Sequence, residues 1–140
     1  LPDVDQSHLE AFLFAVHLEA THRAPASLLV SLAWAESRFD PTAQPACGVM
    51  QVFPEHVHRP QSDCAVWRAD VRSAIRAGVV EIEMMLDDKR VKGSMYRALM
   101  YRACGNAFFQ GTCSEGKARW VAALIARWRW LDGRRRGGEI

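Results

Sequence analysis

The chain has 140 residues, of which 49% are apolar and 24% are charged. This balance is typical of a soluble folded domain and excludes a disordered chain. The net charge of +2 is too small to indicate a nucleic-acid partner. No apolar run approaches the roughly 20 residues that a membrane-spanning helix needs. We therefore expect one domain over residues 1–140, with a basic tail from about 133 to 140.

The first 40 residues predict two helices. The first helix begins near Ser7, and its apolar residues recur at helical spacing: Leu9, Phe12, Leu13 and Val16. The second helix opens at Pro25 and Ser27, and its predicted buried stripe is Leu28, Leu29, Leu32 and Ala33. We expect this helix to end at Phe39-Asp40-Pro41, because the residue before a proline avoids the helical region.

A long irregular segment follows, from Thr42 to about Ala65, with prolines and Gly48 along it. We expect one short helical turn within it, over residues 49–53. A long helix then runs from about Asp70 to Leu86 with an apolar face. Gly78 lies in the middle of that helix, where it costs about 1 kcal/mol relative to alanine, so its presence predicts a close approach by another helix.

The C-terminal third predicts two more helices. Ser94 is placed to cap a helix that runs to about Ala103, and a loop with Gly105 and Gly111 follows. The last helix runs from about Glu115 to Leu131, where we expect Gly133 to end it. Its apolar face packs on the core or, with the arginines at positions 134–136, contacts an anionic membrane; both interpretations remain open. The pattern predicts a mainly α fold with a long irregular segment.

Four cysteines are present: Cys47, Cys64, Cys104 and Cys113. None forms a C-x-x-C pair, so a zinc ribbon is not indicated. The even count favours disulfides over four reduced thiols, and four cysteines allow three connectivities. The two local pairs, 47–64 and 104–113, each close a loop rich in turn residues. Disulfides would place the protein outside the reducing cytosol.

Glu36 is the candidate catalytic residue. Breaking a glycosidic bond requires a carboxylic acid that is still protonated near neutral pH, and an apolar pocket favours that form. Glu36 ends an apolar helix, Leu28 to Ala35, and the negative end of the helix dipole disfavours the carboxylate modestly. Ser37 beside it offers a hydroxyl.

Four stretches together resemble the soluble lytic transglycosylase family of the lysozyme-like superfamily. Residues 36–41 match its Glu-Ser-x-Phe-x-Pro signature, and residues 48–54 are similar to Gly-Leu-Met-Gln-Ile-x-Pro. Residues 75–78 resemble the end of its Asn-Ile-x-x-Gly pattern, and residues 100–105 a degenerate Ala-Tyr-Asn-x-Gly motif. The resemblance covers roughly residues 27–105. It implies a lysozyme-like α-helical domain, as in goose-type lysozyme, with the irregular segment beside the active-site cleft.

The resemblance also implies roles. Glu36 protonates the glycosidic oxygen between N-acetylmuramic acid and N-acetylglucosamine, then acts as a base on the sugar's C6 hydroxyl to give a 1,6-anhydro end. Ser37, Met50 and Gln51 bind the substrate, and Tyr101 positions Glu36 through its hydroxyl. No metal or organic cofactor is implied. The implied partner is the peptidoglycan glycan strand. We expect a monomer that acts in the periplasm or cell envelope, or an enzyme that a phage delivers to the cell wall. A secretion, pilus or phage apparatus is a second expected partner.

Two departures leave alternatives open. Arg102 stands where the family motif has asparagine, and Cys104 displaces the following glycine. A goose-type lysozyme would cut the same bond with water and would need a second carboxylate, for which Asp40, Asp63 and Asp70 are the candidates. A wall-binding module without catalysis is the alternative from another class.

Overall fold

The computed structural model describes the backbone of residues 6–138 and side chains as far as residue 133. Within this range the chain forms seven α-helices and one 3-10 turn, and its only β pairing is an isolated bridge between Cys47 and Val52. The predicted mainly α fold is confirmed. The side chains of the predicted basic tail beyond Gly133 lie outside the described residues. The described helices include none that is long and apolar enough to cross a membrane.

The described chain divides into two compact units, and the division falls within one helix, after Glu81. The first unit contains α1 (Gln6–Glu19), α2 (Ala26–Ser37), the 3-10 turn (Pro54–Val57), α3 (Asp63–Ala69) and most of α4 (Val71–Asp87). Helices α1 and α2 pack together. The largest fully buried side chains of this unit include Phe12, Leu28, Leu29, Leu32, Met50 and Ile75.

The second unit begins at Ile82 and contains the end of α4, α5 (Met95–Cys104), α6 (Asn106–Phe109) and α7 (Glu115–Gly138). Helix α5 packs against both α6 and α7. Ser94 caps α5 as predicted, since its Oγ accepts a hydrogen bond from the backbone N–H of Arg97 at 3.3 Å. The buried apolar residues of this unit include Val91, Ala98, Leu99, Met100, Val121 and Leu124.

Several local predictions were wrong. Residues 48–51 form a tight turn inside the Cys47–Val52 bridge rather than a helical turn, and the 3-10 turn begins only at Pro54. Helix α3 was not predicted. Leu13 is 47% exposed although it lies at helical spacing from buried Phe12 and Val16. Gly133 does not end α7, which continues to Gly138; one exposed glycine costs only about 1 kcal/mol, which a long helix can absorb.

Both local cysteine pairs are disulfides. Cys47 is bonded to Cys64 with a Cα–Cα distance of 5.1 Å, and Cys104 to Cys113 with a distance of 5.6 Å. No free cysteine is present. Of the three connectivities that the sequence allowed, the structure therefore has the one in which each cysteine pairs with its nearest neighbour in the sequence.

Candidate active site

Glu36 lies in the last turn of α2, half-buried. The helix ends directly after Ser37 because Arg38 adopts a left-handed conformation with φ of 53°, and its N–H bonds to the carbonyl of Trp34 at 3.1 Å. The helix therefore ends at Ser37, four positions before Pro41, at a left-handed cap rather than at the proline. As predicted, the Glu36 carboxyl is carried by the C-terminal end of an apolar helix.

Phe39 anchors the chain where it leaves that helix. Its ring lies 4.8 Å from the ring of Phe12 on α1 and 5.6 Å from that of Trp34 on α2, and the residue is only 4% exposed. The Arg38 guanidinium stacks over Trp34 at 4.1 Å. The phenylalanine of the predicted signature thus fixes the segment after Glu36 by burial between two helices.

Ser37 ties the end of α2 to the loop that follows Cys47. Its Oγ donates to the carbonyl oxygen of Val49 at 2.7 Å and lies 3.0 Å from the carbonyl of Ala33. The residue is 7% exposed, so this bond is made away from water. This buried hydrogen bond joins residues that are 12 positions apart, and it therefore holds the motif of residues 36–41 next to the motif of residues 48–54.

Gln51 closes the loop of residues 46–52, which we call the floor loop. Its side-chain Oε1 accepts from the N–H of Ala46 at 3.0 Å, and its Nε2 donates to the carbonyls of Ala43 at 2.8 Å and Gly48 at 2.9 Å. Two backbone bonds of 3.3 Å join Cys47 and Val52. Gln51 is 7% exposed, and these contacts use both of its amide hydrogens.

Two glycines permit the close packing of the floor loop. Gly48 has a φ of +73°, and a Cβ there would lie 2.8 Å from the carbonyl oxygen of Trp67 and 2.9 Å from the Cβ of Ala74. A Cβ on Gly78 would lie 2.9 Å from Met50 side-chain atoms. The close approach predicted at Gly78 is therefore confirmed, but its neighbour is a loop side chain and not a second helix.

Helix α3 also holds the floor loop. The Cys47–Cys64 disulfide joins it to α3, and Nη2 of Arg68 on the same helix donates to the carbonyl of Ala46 at 3.2 Å. Helix α3 therefore supports the loop through one covalent bond and one charge-assisted hydrogen bond.

The three aspartates considered as a second carboxylate are each engaged locally. Hydrogen bonds from Thr42 lower the pKa of Asp40, and a hydrogen bond from Ser73 is the main cause of the lowered pKa of Asp70. Asp63 pairs with Arg59 at 2.7 Å.

Glu81, which the sequence analysis missed, is a buried carboxylate of the first unit. It is 3% exposed, and its Oε2 lies 3.8 Å from Nδ1 of His56. It stands three residues after Gly78 and so shares the face of α4 that meets Met50. The available signal was a glutamate inside the apolar stripe of a long helix. Burying a carboxylate is costly, which makes Glu81 a candidate for a functional role.

Tyr101 belongs to the second unit, on α5. It is half-buried, and its ring lies 5.0 Å from that of Phe109 on α6. Nη2 of Arg90 lies 3.4 Å from the Tyr101 hydroxyl. The Cys104–Cys113 disulfide closes the segment that carries Phe109. Within the first unit the structure thus brings Ser37, Met50 and Gln51 together with the helix of Glu36, and Tyr101 belongs to the second unit.

A comparison with protein-family models decides the family. The model described as the transglycosylase SLT domain matches residues 15–119, well over half of the chain. The chain belongs to the transglycosylase SLT domain family. The matched range includes Glu36, the floor loop and Tyr101. No curated protein and no solved structure matches the chain.

Family membership identifies the fold class and the general substrate. The mainly helical architecture is that of the lysozyme-like α domain, as predicted. The SLT domain is of the lytic transglycosylase type and acts on peptidoglycan, which places its substrate in the cell envelope. Among the residues with described side chains, no group of three or more histidine, cysteine, aspartate or glutamate residues is arranged to hold a metal ion.

Proposed function

We propose that the protein is a peptidoglycan lytic transglycosylase in which Glu36 is the acid and then the base. The observation that carries the proposal is the position of Glu36 at the end of α2, one residue before a buried serine that is bonded to the floor loop. This arrangement lies inside the range that matches the SLT domain. It holds one carboxyl group at a helix end, next to a rigid and densely hydrogen-bonded turn.

The proposed reaction needs no other reactant than the glycan. The Glu36 carboxyl donates its proton to the glycosidic oxygen, and the bond between that oxygen and C1 of N-acetylmuramic acid breaks. The C6 hydroxyl of the same sugar then attacks C1 and gives its proton to the Glu36 carboxylate. The products are a free 4-hydroxyl on N-acetylglucosamine and a 1,6-anhydro end, and Glu36 is protonated again.

The other predicted site residues support this reaction in different ways. We propose that Ser37, Met50 and Gln51 fix the floor loop against which the sugar binds, because all three are buried and engaged by the protein itself. Tyr101 contributes its hydroxyl, as the family resemblance implies. Preorganised groups of this kind lower the barrier by holding the reactants in place.

The product masses test the proposal. Digestion of purified peptidoglycan should release muropeptides one water lighter than hydrolysis products, with no reducing muramic acid end. The Glu36→Gln variant should lose at least about a hundredfold in rate, because it cannot donate the proton. Glu10→Gln, an exposed glutamate on α1, is the matched control and should keep the wild-type rate. Equal clearing by wild type and Glu36→Gln would show that Glu36 is not the catalyst, whereas binding to the walls without release of muropeptides by either protein would indicate a wall-binding module.

Glu81 is the specific observation that favours the second candidate, a hydrolase. A buried carboxylate on the α4 face that meets Met50 could position a water molecule in place of the C6 hydroxyl. Reducing muramic acid ends that disappear in Glu81→Gln, while cleavage by Glu36 continues, would establish hydrolysis. Anhydro ends in both wild type and Glu81→Gln would exclude it.

We propose that the protein acts outside the reducing cytosol, in the periplasm or cell envelope or as a phage-delivered enzyme. The two disulfides support this, since such bonds persist in oxidising compartments. Val121 and Leu124 on the apolar face of α7 are fully buried, so this part of the face packs on the core. Contact with an anionic membrane stays a prediction, for which Trp130, 57% exposed and outside that face, is the available apolar side chain. Binding to anionic vesicles that Trp130→Ala weakens would support the contact. The monomeric state and recruitment by a secretion, pilus or phage apparatus also stay predictions.

A further inference from the structure

Arg90 is held in place by a fork of hydrogen bonds. Its Nε and Nη2 donate to the two carboxylate oxygens of Asp88 at 3.1 and 2.9 Å, and its Nη1 donates to the side-chain oxygen of Asn106 at 3.2 Å. The same bonds lower the pKa of Asp88, because they favour the carboxylate that accepts them. A guanidinium bound through all three of its nitrogens has little freedom to turn.

The backbone of Arg90 is fixed as well. Nε and Nη2 of Arg97 donate to the Arg90 carbonyl oxygen at 3.1 and 2.8 Å. Arg97 stands in the first turn of α5, the helix that carries Tyr101. The turn that contains Arg90 is therefore bound directly to that helix.

The guanidinium packs on two aromatic rings and reaches a hydroxyl. Its central carbon lies 4.2 Å from the ring centre of Phe109 and 5.3 Å from that of Tyr101. Nη2 lies 3.4 Å from the Tyr101 hydroxyl oxygen. Arg90 thus contacts both the face and the polar end of Tyr101, while Phe109 supports the ring from the side.

The direction of this hydrogen bond follows from the chemistry of the two groups. A guanidinium has donors only, so the Tyr101 oxygen must accept. The hydroxyl hydrogen of Tyr101 therefore stays available to donate to an acceptor outside the cluster. A hydroxyl held in this way is a directed donor, which is what a reaction that develops negative charge on oxygen requires.

We infer that Arg90 is a positioning residue that orients the Tyr101 hydroxyl as a hydrogen-bond donor toward the substrate. The inference rests on the proposed function, which gives the Tyr101 hydroxyl its role. Arg102 follows Tyr101 where the family motif has asparagine, so in this chain the group that fixes Tyr101 comes from outside the motif. Asp88 and Asn106 act one step further out, by holding Arg90.

A double-mutant cycle tests the inference. Arg90→Lys keeps the charge but loses the fork, and Tyr101→Phe loses only the hydroxyl. With soluble glycan strands as substrate, each variant should lower kcat about tenfold, the usual effect of one lost hydrogen bond, and leave KM within about twofold. The double variant should also lose about tenfold, because both changes remove the same interaction. Arg59→Lys and Tyr96→Phe, exposed residues outside the cluster, are the matched controls and should keep the wild-type kcat.

Tyrosine signals give a readout that does not depend on activity. The chain has two tyrosines, so ring-¹³C-tyrosine NMR shows two sets of signals, which Tyr96→Phe assigns. Arg90→Lys should shift the Tyr101 signals and leave those of Tyr96 in place.

Two results would overturn the inference: a roughly hundredfold loss in the double variant, or Tyr101 signals that do not respond to Arg90→Lys. A wild-type rate in Glu36→Gln would instead overturn the proposed function, and the NMR signals would still report whether Arg90 holds Tyr101.

Discussion

The floor loop in the first unit is closed by buried polar groups, whereas the segment around Tyr101 in the second unit is held by charged side chains that water reaches. Gln51 and Ser37 are each 7% exposed and bond to backbone atoms, while the Arg90 side chain is 47% exposed. Buried bonds must be complete because an unpaired group in the interior is costly. Exposed ion pairs contribute less and weaken with salt. We therefore expect substitutions that change side-chain volume to destabilise the floor loop most, and substitutions that remove charge to affect the Tyr101 segment most.

The largest expected effect separates two glycines with nearly the same backbone conformation. Gly48 (φ +73°) and Gly93 (φ +70°) are both left-handed, but only at Gly48 would a Cβ meet other atoms within 4 Å. Gly48→Ala should cost about 3 kcal/mol of unfolding free energy from strain and overpacking together. Gly93→Ala should cost about 1 kcal/mol from strain alone. Urea unfolding of the two variants measures the difference, and equal costs would show that the floor loop gives way to the added methyl group.

Removing each disulfide in turn tests how much the floor loop and the Tyr101 segment depend on a covalent cross-link. Removing Cys47–Cys64, at a sequence separation of 17, should cost about 3 kcal/mol, and removing Cys104–Cys113, at a separation of 9, about 2.5 kcal/mol. The cysteines are replaced pairwise by alanine, and thermal unfolding gives the order. We expect the first pair to reduce activity more than the second relative to its cost in stability, because Cys47 lies within the floor loop. The opposite order of activities would place the more critical support beside Tyr101.

Lowering the pH tests how much the ion pairs of Glu19 contribute to stability. Glu19 accepts hydrogen bonds from Arg76 and Arg72, which lower its pKa from 4.5 to about 2, and its side chain is only 12% exposed. Because the folded pKa is below the unfolded one, this stabilisation is complete above about pH 4.5 and is lost as the pH falls toward 2. Allowing for screening at the exposed arginines, it amounts to about 1 to 2 kcal/mol.

The Glu19→Gln variant should therefore lose stability at pH 6 and show a flatter decline than wild type between pH 5 and 3. Urea midpoints over that range measure it, with Glu10→Gln as the control that keeps the wild-type slope. An unchanged slope in Glu19→Gln would mean that the two arginines do not hold this carboxylate in solution.

The smallest effect concerns two serines at helix starts. Ser94 Oγ accepts from the Arg97 N–H, whereas Ser62 precedes α3 and makes no side-chain cap bond. Ser94→Ala should cost about 1 kcal/mol and Ser62→Ala less than about 0.5 kcal/mol. Chemical unfolding distinguishes them. Similar small losses would show that the start of α5 depends on the Arg97–Arg90 contact rather than on its cap.

Much of the helical framework was predictable because it depends on local patterns. The long helix α4 and the capped helix α5 were placed to within about one residue, since apolar periodicity and a serine cap act within a few positions along the chain. The wrong predictions between α2 and α4 fall where residues distant in sequence decide the structure. Residues 48–51 form a tight turn because Cys47 pairs with Val52, and α3 begins beside the disulfide partner Cys64.

The candidate site likewise contains residues that the sequence could identify and contacts that it could not. Glu36 and Tyr101 could be selected by motif, but the internal bonds of Gln51 and Ser37 could not, because their partners Ala43, Ala46 and Val49 are backbone groups that carry no sequence signature. Glu81 and Arg90 were missed for a related reason. A charged residue shows its role only when the structure reveals whether it is buried or what it contacts.

The sequence by itself determined the family, the helical class and the residue proposed to carry the proton, because spaced motifs and a 3.6-residue period are properties of the chain alone. Only the tertiary structure decided which cysteines pair, why Gly48 and Gly78 are glycine, and that Arg90 contacts Tyr101. These outcomes depend on distances between residues far apart in sequence, which packing sets and local preference does not.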